Sequence, residues 1–363
     1  MTSPSFDYAQ RIARARRAVD EAGLKALLLS VGPDIRYLTG YEAMPLERLT
    51  MFVLTAEDAV LVVPELEAPR VTPGPFEIRP WTETEDPIAI VTSIVGDCES
   101  VAIGDHTWSV FLLSLQAALP SARFRSAGPV MASLRIRKEP AEIDYLRRAA
   151  QAADRVATRL GETRASGRTE REMARLIDNW LLEEGHDVAS FKIVASGPNG
   201  ASPHHEPTER EIRDGDLIVM DFGGRIEGYC SDTTRTFVVG GPTAEQRKVF
   251  DLVRTAQEAA VDAVRPSALP ADIDAAARNV IAQAGYGDFF IHRTGHGIGL
   301  ETHEEPYIIE TNHTPLEIGM AFSVEPGIYL PGQFGVRLED IVVVTSDGVE
   351  VLNDSKRSLV QIG

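Results

Sequence analysis

Two pairs of acidic residues stand beside strand-like apolar runs in the C-terminal part of the chain. Asp221 follows the run LIVM and Asp232 precedes TTRTFVV, and the glycine-containing segment GGRIEG lies halfway between them. If that segment is a hairpin turn, we expect the two aspartates to face each other on neighbouring strands, with Cβ atoms roughly 5 Å apart. Like charges so placed repel each other, so the pair indicates either a solvated turn or a bound cation.

A second acidic pair repeats this arrangement. Glu325 follows AFSV, Glu339 precedes DIVVV, and the halfway point between them is Gly332 in the segment LPGQFG. One aspartate pair beside a turn is most often solvated, because turns favour aspartate for conformational reasons. Two pairs in matching positions, both embedded in apolar sequence, favour a metal site instead. Four carboxylates can hold two divalent ions if some of them bridge, and oxygen-rich sites suit Mn²⁺ and similar metals.

Histidines are concentrated in the same part of the chain, since six of the eight lie between His204 and His313. The segment HRTGHGIGLETHEEP contains His292, His296 and His303. A lone histidine is more often a core or surface residue than a ligand, but the glycines that flank His296 permit close approach of other backbone. We therefore predict that His296 is a metal ligand. The glycines form no nucleotide fingerprint, because neither a GxGxxG that opens a helix after a strand nor a GxxxxGK occurs.

The elements that must position these residues fall into two parts. Residues 1–132 alternate helical and strand-like segments, including the strands LKALLLSV and AVLVVP and a helix TWSVFLLSLQAAL with Thr107 as its N-cap, which predicts an α/β domain. Residues 140–363 begin with a helix at Pro140, a favoured early helix position. We expect Thr169 to cap the next helix and Gly185 to close it.

The second part contains an internal repeat. The order helix, helix, strands occurs twice, and a glycine precedes an acidic residue by six positions in both GDLIVMD and GMAFSVE. The similar segments HHEP and THEEP lie upstream of these two runs. We interpret the repeat as a duplication, so residues 140–363 are predicted to form two similar α+β halves that face each other.

Composition excludes several classes of function. The 363 residues are 44% hydrophobic and 25% charged, as in soluble globular proteins. A net charge of −18 argues against a nucleic acid partner, because binding a phosphate backbone needs clustered Lys and Arg. The apolar runs are too short to span a membrane, and the N-terminus has no apolar segment typical of a secretory signal. Cys98 and Cys230 make no disulfide framework, so we expect a reducing cytoplasm.

The set Asp221, Asp232, His296, Glu325 and Glu339 resembles the five metal ligands of the pita-bread metallopeptidases, a family that includes prolidases and aminopeptidase P. The segments SGPNGASPHHEP, MDFGG, SDTTRTF, SVEPGIY and GVRLEDIVVV are also similar to family motifs. The resemblance covers the whole chain. It implies a pita-bread catalytic domain over residues 140–363 and a smaller creatinase/prolidase-like α/β domain before it.

The resemblance also implies a role for each site residue. Asp221 would hold one divalent ion, His296 and Glu325 the other, and Asp232 and Glu339 would bridge the two. Glu325 would take a proton from the water shared by the two ions, which leaves a metal-bridging hydroxide, and pass that proton towards the leaving nitrogen. The remaining roles fall on residues that would stabilise the tetrahedral intermediate or bind substrate: His204 (preferred to His205 by its family position), His303, His292 and Arg337. For Arg337, orienting a bridging carboxylate, binding substrate and a plain salt bridge all remain open.

The function that the resemblance implies is hydrolysis of the Xaa-Pro bond in dipeptides, with Mn²⁺ as the expected metal and Co²⁺, Zn²⁺ or Fe²⁺ as alternatives. Aminopeptidase P activity on longer Xaa-Pro-Yaa peptides and metal-dependent hydrolysis of another small amide remain open. Metal-free creatinase-like enzymes and binding proteins that have lost the ligands are less consistent with five intact ligand positions. The family also suggests a homodimer, and the segment YEAMPLERLTMF is open to two interpretations, a contact with the partner or a plain loop and strand.

Overall fold

The computed structural model describes residues 6–363. Internal contacts divide the chain after Arg135 into two compact units. Within the described residues, no helix combines the length and the hydropathy that crossing a membrane requires.

The N-terminal unit is an α/β domain built on a six-stranded sheet. The strand order is β4-β3-β2-β1-β5-β6, with antiparallel pairing among β1, β2 and β3 and parallel pairing elsewhere. The strands are β1 (Ala26–Ser30), β2 (Met51–Leu54), β3 (Ala59–Pro64), β4 (Glu77–Trp81), β5 (Ser100–Ile103) and β6 (Arg123–Ser126). The helices are α1 (Tyr8–Glu21), α2 (Pro33–Thr39), α3 (Pro87–Val95), α4 (Ser109–Ala118) and α5 (Gly128–Arg135). The predicted α/β class of this unit is confirmed.

The predicted cap of α4 is wrong. The helix begins at Ser109 rather than directly after Thr107, and Trp108 occupies the N-cap position without a side-chain hydrogen bond to the helix. The tryptophan is partly exposed and stacks on Phe111 one turn into the helix. A threonine next to an apolar run is a statistical sign of a helix start, but here the residue after the threonine takes the N-cap position.

The C-terminal unit contains the repeat that the sequence predicts, with two helices before each sheet. The helices are α6 (Pro140–Gly161), α7 (Glu170–Glu183), α8 (Ala244–Ala263) and α9 (Pro270–Gln283). The strands of the first sheet are β7 (Val188–Ser196), β8 (Leu217–Ile226), β9 (Tyr229–Cys230), β10 (Thr233–Val239) and β18 (Val360–Ile362), and those of the second are β11 (Gly295–Gly297), β12 (Glu304–Ile308), β13 (Ala321–Val324), β16 (Asp340–Thr345) and β17 (Gly348–Val351). A separate hairpin joins β14 (Gly327–Leu330) to β15 (Phe334–Arg337).

Helix boundaries in this unit follow capping chemistry. Helix α6 starts at Pro140, and Glu139 forms a reciprocal capping box with the third helical residue. Thr169 caps α7 in the same way, and Gly185 adopts a left-handed φ of 108° just beyond its end. These positions confirm the expectations from sequence.

Each sheet packs its apolar face on its own pair of helices. One core cluster joins Val156 and Ile177, on α6 and α7, to Met220 and Phe237 in the first sheet. A second cluster joins Phe250 on α8 and Ile281 on α9 to the second sheet and to the β14–β15 hairpin. Asp221 lies inside β8, and Asp232, Glu325 and Glu339 lie directly beside strands. The apolar packing of these strands therefore fixes the positions of the acidic residues.

Candidate metal centre

The site residues that the sequence singles out meet in one cavity of about 690 Å³ in the C-terminal unit. Apolar and polar side chains share its wall. The lining residues are Ser190, Phe191, Ile193, Pro203, His204, Asp221, Asp232, His292, Arg293, His296, Thr302, His303, Ile309, Glu325, Arg337 and Glu339. All nine predicted site residues are among them.

The first acidic pair is not placed as we expected. Asp221 lies on β8 directly opposite Thr234, and Asp232 immediately precedes β10, two residues before Thr234. The aspartates are therefore diagonal neighbours rather than a directly opposed pair. The reason is the turn, which is formed by Glu227 and Gly228 with φ values of 51° and 82°. Both central residues of a type I′ turn need positive φ, so the hairpin closes at that pair, one residue beyond the midpoint of the two aspartates.

The second acidic pair is placed as predicted. Val324 pairs with Asp340, and beyond them Gly327 pairs with Arg337 in the same register. That register puts Glu325 opposite Glu339 at the break between the two strand pairs.

His296 enters the site on the short strand β11, between Gly295 and Gly297. A Cβ atom at Gly295 would overlap the carbonyl oxygen of Ser323, and one at Gly297 would overlap the carbonyl of Glu305. The glycines therefore permit close approach on both sides, as the sequence predicts. The Nε2 atom of His296 lies 3.3 Å from Oε1 of Glu325 and 3.6 Å from Oδ2 of Asp232.

Three overlapping sets of side chains could each hold a metal ion, because the ligand atoms within each set lie within 4.8 Å of one another. One set joins Asp221, Asp232 and Glu339, and another joins His296, Glu325 and Glu339. The third joins Asp232, His296 and His303.

The carboxylates are crowded in a buried place. Burial, followed by the neighbouring charges of Glu339, Asp221 and Glu325, raises the pKa of Asp232 well above its usual value. Burial, with the charges of Glu325 and Asp221, raises the pKa of Glu339 in the same direction. Burial also raises the pKa of Glu325 to about 7, against an opposing effect of Arg337. Without a cation, this cluster therefore resists holding its full negative charge.

Two buried carboxylate oxygens also indicate that these residues fit a divalent cation. Oδ1 of Asp221 and Oε1 of Glu339 are buried and accept no hydrogen bond within the described part of the chain. Buried carboxylate oxygens are rarely left without a partner, and each one so left carries a large desolvation penalty. The imidazole is suited to the same task, because burial first and His303 second lower the pKa of His296 to about 3, which keeps its ring neutral and able to coordinate.

Arg337 lies beneath the carboxylates and is almost fully buried. Its guanidinium donates to Oδ2 of Asp221 at 2.6 Å and to the hydroxyl of Tyr329 at 2.8 Å. Its Nε atom donates to Thr234, whose hydroxyl donates to Oε2 of Glu339 at 2.7 Å. The guanidinium of Arg337 thus contacts Asp221 directly and is linked to Glu339 through the hydroxyl of Thr234.

The three other histidines of the predicted site, His204, His292 and His303, differ in their surroundings. His292 is held between the carbonyl of Arg293 and the hydroxyl of Tyr329, and burial followed by Arg337 lowers its pKa to about 4. His303 stacks edge-on against the His296 ring at 4.2 Å between centroids. His204 and His303 are the exposed members of the set.

Tyr329 and Thr234 are functional-site residues that the sequence does not single out. Both lie inside quoted motifs, Tyr329 in SVEPGIY and Thr234 in SDTTRTF, but a tyrosine or threonine in a strand is usually a packing residue. Thr234 is important because it donates to Glu339, 105 positions away, and Tyr329 because it bonds to Arg337 across the β14–β15 hairpin, contacts that spacing along the chain does not reveal.

Comparison with known proteins agrees with this geometry. Residues 144–346 match metallopeptidase family M24, and residues 11–137 match the creatinase/prolidase N-terminal domain. The chain is 42% identical to the "Probable dipeptidase PepE" of Mycobacterium bovis over 373 aligned residues, covering 100% of this chain and 99% of that protein. It is 35% identical to the Xaa-Pro dipeptidase of Lactobacillus delbrueckii subsp. lactis, covering 94% and 96%.

Among solved structures, a recombinant prolidase from Thermococcus sibiricus superposes with a TM-score of 0.95 at 38% identity, covering 99% of this chain and 100% of that one. Both domains match, and the relatives align with this chain along almost their full length. The chain belongs to metallopeptidase family M24, the pita-bread metallopeptidases, and carries the creatinase/prolidase N-terminal domain.

Proposed function

We propose that this metallopeptidase hydrolyses the Xaa-Pro bond of dipeptides with the help of two divalent metal ions. The observation that carries the proposal is the meeting of two imidazoles and four carboxylates in three overlapping donor sets. Specificity for proline is supported by the similarity to Xaa-Pro dipeptidases and prolidases. We further propose residues 1–132 as the N-terminal domain and residues 140–363 as the catalytic domain.

The overlap of the donor sets supports a division of labour among the ligands. Asp232 and Glu339 each belong to a set with Asp221 and to a set with His296, so we assign them as the bridging ligands. Asp221 and Glu325 each belong to one set only. Asp221 would therefore hold one ion, and Glu325 with His296 would hold the other.

The donor chemistry favours Mn²⁺, because four of the five ligands are carboxylates, while the single imidazole also admits Co²⁺, Zn²⁺ or Fe²⁺. When bound, such ions lower the pKa of a water molecule and so supply a nucleophile at neutral pH. A cavity of about 690 Å³ is adequate for a dipeptide.

The protein's own side chains would manage protons and orientation. We assign Glu325 as the group that takes a proton from the attacking water and passes it to the leaving nitrogen, because its side chain, at 15% exposed, is more open to the cavity than that of Asp232 at 5%. His204 and His303 would donate hydrogen bonds to the oxyanion of the tetrahedral intermediate. His292 faces the same cavity next to Tyr329.

For Arg337 we favour orientation of the acidic ligands over binding of substrate. Its Nε, Nη1 and Nη2 atoms all donate to groups of the protein itself. A guanidinium so engaged fixes the rotamer of Asp221 in the way that a hydrogen-bonded neighbour fixes a metal ligand.

The test is proline release from a Xaa-Pro dipeptide by protein loaded with Mn²⁺, beside a matched Xaa-Pro-Yaa tripeptide. Cleavage of the dipeptide with little cleavage of the tripeptide is the expected result. Preference for the tripeptide would move the assignment to aminopeptidase P. Failure to cleave either peptide, by protein that has bound metal, would refute Xaa-Pro hydrolysis and direct attention to other small amides.

We also propose a homodimer, supported by the resemblance to prolidases. Sedimentation equilibrium tests it, because one chain has a mass of 39.6 kDa and a dimer would have twice that mass. A single species at the monomer mass at micromolar concentration would contradict it.

A further inference from the structure

Glu170, the first residue of α7, is fully buried although it lines no part of the cavity. Its two carboxylate oxygens accept six hydrogen bonds from one segment of chain, Ser196 to Thr208. A buried carboxylate is normally satisfied by whatever donors are nearest, so six donors from a single loop require an explanation.

The six hydrogen bonds divide between the two ends of the loop. Oε1 accepts from the backbone and hydroxyl of Ser196 and from the side chain of Asn199, at 2.7–2.9 Å. Oε2 accepts from the ring of His205 at 2.9 Å and from the backbone and hydroxyl of Thr208. The carboxylate therefore joins the segment before His204 to the segment after it.

His204 itself has no such support. It is exposed, it lines the cavity, and its ring forms no hydrogen bond within residues 6–363. Because the loop from Ser202 to Arg210 has no regular structure, the position of the His204 ring depends on how the loop backbone is held. Glu170 holds it from the side of α7, and Arg337 donates to the carbonyl of Pro203 at 3.3 Å from the side of the acidic cluster.

We propose that Glu170 is a positioning residue that holds the loop so that His204 faces the reacting bond. The proposal rests on the function proposed above, in which His204 assists the transition state. The effect of Glu170 on catalysis would pass through His204 alone, and the carboxylate would touch neither substrate nor metal.

The chemistry of the contacts requires a carboxylate. Each of its oxygens faces a backbone N–H, one from Ser196 and one from Thr208, and a backbone N–H can only donate. A glutamine must direct its NH₂ group at one of them, so a change of a single atom loosens one end of the loop. Glu170→Gln preserves the size of the side chain and is therefore the sharpest probe.

The kinetic test compares wild type, Glu170→Gln, His204→Ala and the double variant on the same Xaa-Pro dipeptide. We expect Glu170→Gln to lower kcat about 10- to 100-fold and to change KM less than about 3-fold, because a displaced transition-state donor affects mainly the chemical step. In the His204→Ala background the same substitution should lower kcat by less than about 3-fold, since the two residues act as one unit. Equal factors in both backgrounds would overturn the proposal, as would a normal kcat in Glu170→Gln.

Two further variants separate positioning from folding. Glu184→Gln, at the other end of α7, removes a carboxylate bound to Arg155 and Arg159 and should leave kcat within about 2-fold, because this surface site lies away from the loop. If Glu170→Gln does not fold, Thr208→Val removes one hydroxyl donor from Oε2 and retains the backbone N–H. It should lower kcat about 3- to 10-fold, a smaller effect because one end of the loop keeps part of its support.

A spectroscopic readout tests the proposal without reference to activity. In protein with ¹⁵N-labelled histidine, His204→Ala identifies the His204 ring signals, and Glu170→Gln should shift or broaden the signals of both His204 and His205 while those of His186 stay unchanged. If only His205 responds, the loop holds His204 without Glu170 and the proposal is wrong. This result would stand even if wild type cleaved no Xaa-Pro peptide, an outcome that would refute the proposed function alone.

Discussion

The Nη2 atom of Arg337 lies 2.6 Å from Oδ2 of Asp221, and the two side chains are 3% and 12% exposed. A buried cation thus holds one oxygen of the acidic cluster, while Oδ1 of the same carboxylate has no hydrogen-bond partner in the described chain. The two oxygens of one side chain are divided between an internal partner and the site where a metal ion would bind. In the proposed metal site, Arg337 would therefore preset the direction from which Asp221 coordinates.

We predict that Arg337→Lys weakens metal binding about 10- to 100-fold, a range typical of the loss of a hydrogen bond that orients a ligand. Lysine keeps the charge but cannot reach Asp221, Tyr329 and Thr234 together, because it lacks the planar fork of the guanidinium. Calorimetric titration of metal-free protein with Mn²⁺ measures the effect. Arg254→Lys, on the surface beside Asp251, is the matched control and should bind Mn²⁺ as wild type does. Equal affinities for the Arg337 and Arg254 variants would refute the orienting role.

Substitution of Asp232 by asparagine should change the stability and the activity of the protein in opposite directions. Burial, with the charges of Glu339, Asp221 and Glu325, raises its pKa, so the ionised aspartate destabilises the metal-free fold. We predict that Asp232→Asn raises the free energy of unfolding in EDTA by about 1–3 kcal/mol, by removing one of the repelling charges. The same change should lower turnover of Mn²⁺-loaded enzyme by about 10²–10⁴-fold, because a bridging ligand is lost.

Thermal unfolding in EDTA, bound manganese and dipeptide turnover are the three measurements for Asp232→Asn. Asp251→Asn on the exposed face of α8 is the control and should change none of them appreciably. Near-normal turnover by Asp232→Asn with manganese still bound would contradict the bridging assignment. A lower unfolding temperature in EDTA would contradict the account of the repulsion.

The two hairpins show how far the sequence alone could predict the site. Halving the interval between the acidic residues gives the right register for Glu325 and Glu339, whose hairpin runs without a shift from β13 to β16. The same procedure fails for Asp221 and Asp232. Their turn is closed by the two residues that adopt positive φ, Glu227 and Gly228, and a glutamate at such a position is not a usual sign of a turn. Spacing therefore predicted which residues meet but not how each pair is aligned.

The hydrogen-bonded surroundings of the site could be predicted least. Caps at Thr169 and Gly185 are local and were found from sequence, because each depends on residues within one helical turn. The hydrogen bond from Thr234 to Glu339 spans 105 positions, and its partners are ordinary strand residues by composition. Such contacts arise only after both sheets have formed, so no local pattern predicts them.

The close approach at β11 gives a prediction about the fold of the site. A Cβ atom at Gly295 would overlap backbone of Ser323, which belongs to the neighbouring strand β13 and cannot move without moving Glu325. We predict that Gly295→Ala destabilises the protein by about 3 kcal/mol or more and abolishes metal binding, because relief of the overlap separates β11 from β13. Urea unfolding and Mn²⁺ titration would measure these two effects.

Gly161→Ala is the control for this prediction. A Cβ atom there lies 3.5 Å from Val360, an ordinary contact, and the residue ends helix α6. Alanine at that position should be neutral or stabilise the protein by up to about 1 kcal/mol, given the better helix propensity of alanine. If Gly295→Ala were as stable as this control, the close approach would not be a constraint on the fold.

Ionisation of Glu170 should make the free energy of unfolding depend on pH, and the variant Glu170→Gln should lack that contribution. Burial alone would raise the pKa of its carboxyl, but hydrogen bonds from Ser196, Thr208, His205 and Asn199 outweigh burial and lower that pKa to about 2. Its pKa in the unfolded chain is the ordinary value near 4.5. A depressed carboxyl pKa contributes stability that is fully present above the unfolded value and is lost as pH falls through the folded value. The size of that contribution at neutral pH is on the order of 3 kcal/mol.

We therefore predict that the difference in unfolding free energy between wild type and Glu170→Gln is largest at pH 6–7 and shrinks steadily between about pH 5 and pH 2. Glutamine does not titrate, so only the wild type loses this contribution, and the effects of groups that do not interact with Glu170 cancel in the difference. Urea unfolding in EDTA at several pH values measures it without interference from metal release. Glu184→Gln should show a weaker dependence, because the pKa of Glu184 is also lowered, by Arg155 foremost, but at a site more open to solvent. A difference for Glu170→Gln that stayed constant from pH 7 to pH 3 would show that the hydrogen bonds do not favour the ionised form, and the six contacts would then be a matter of shape and not of charge.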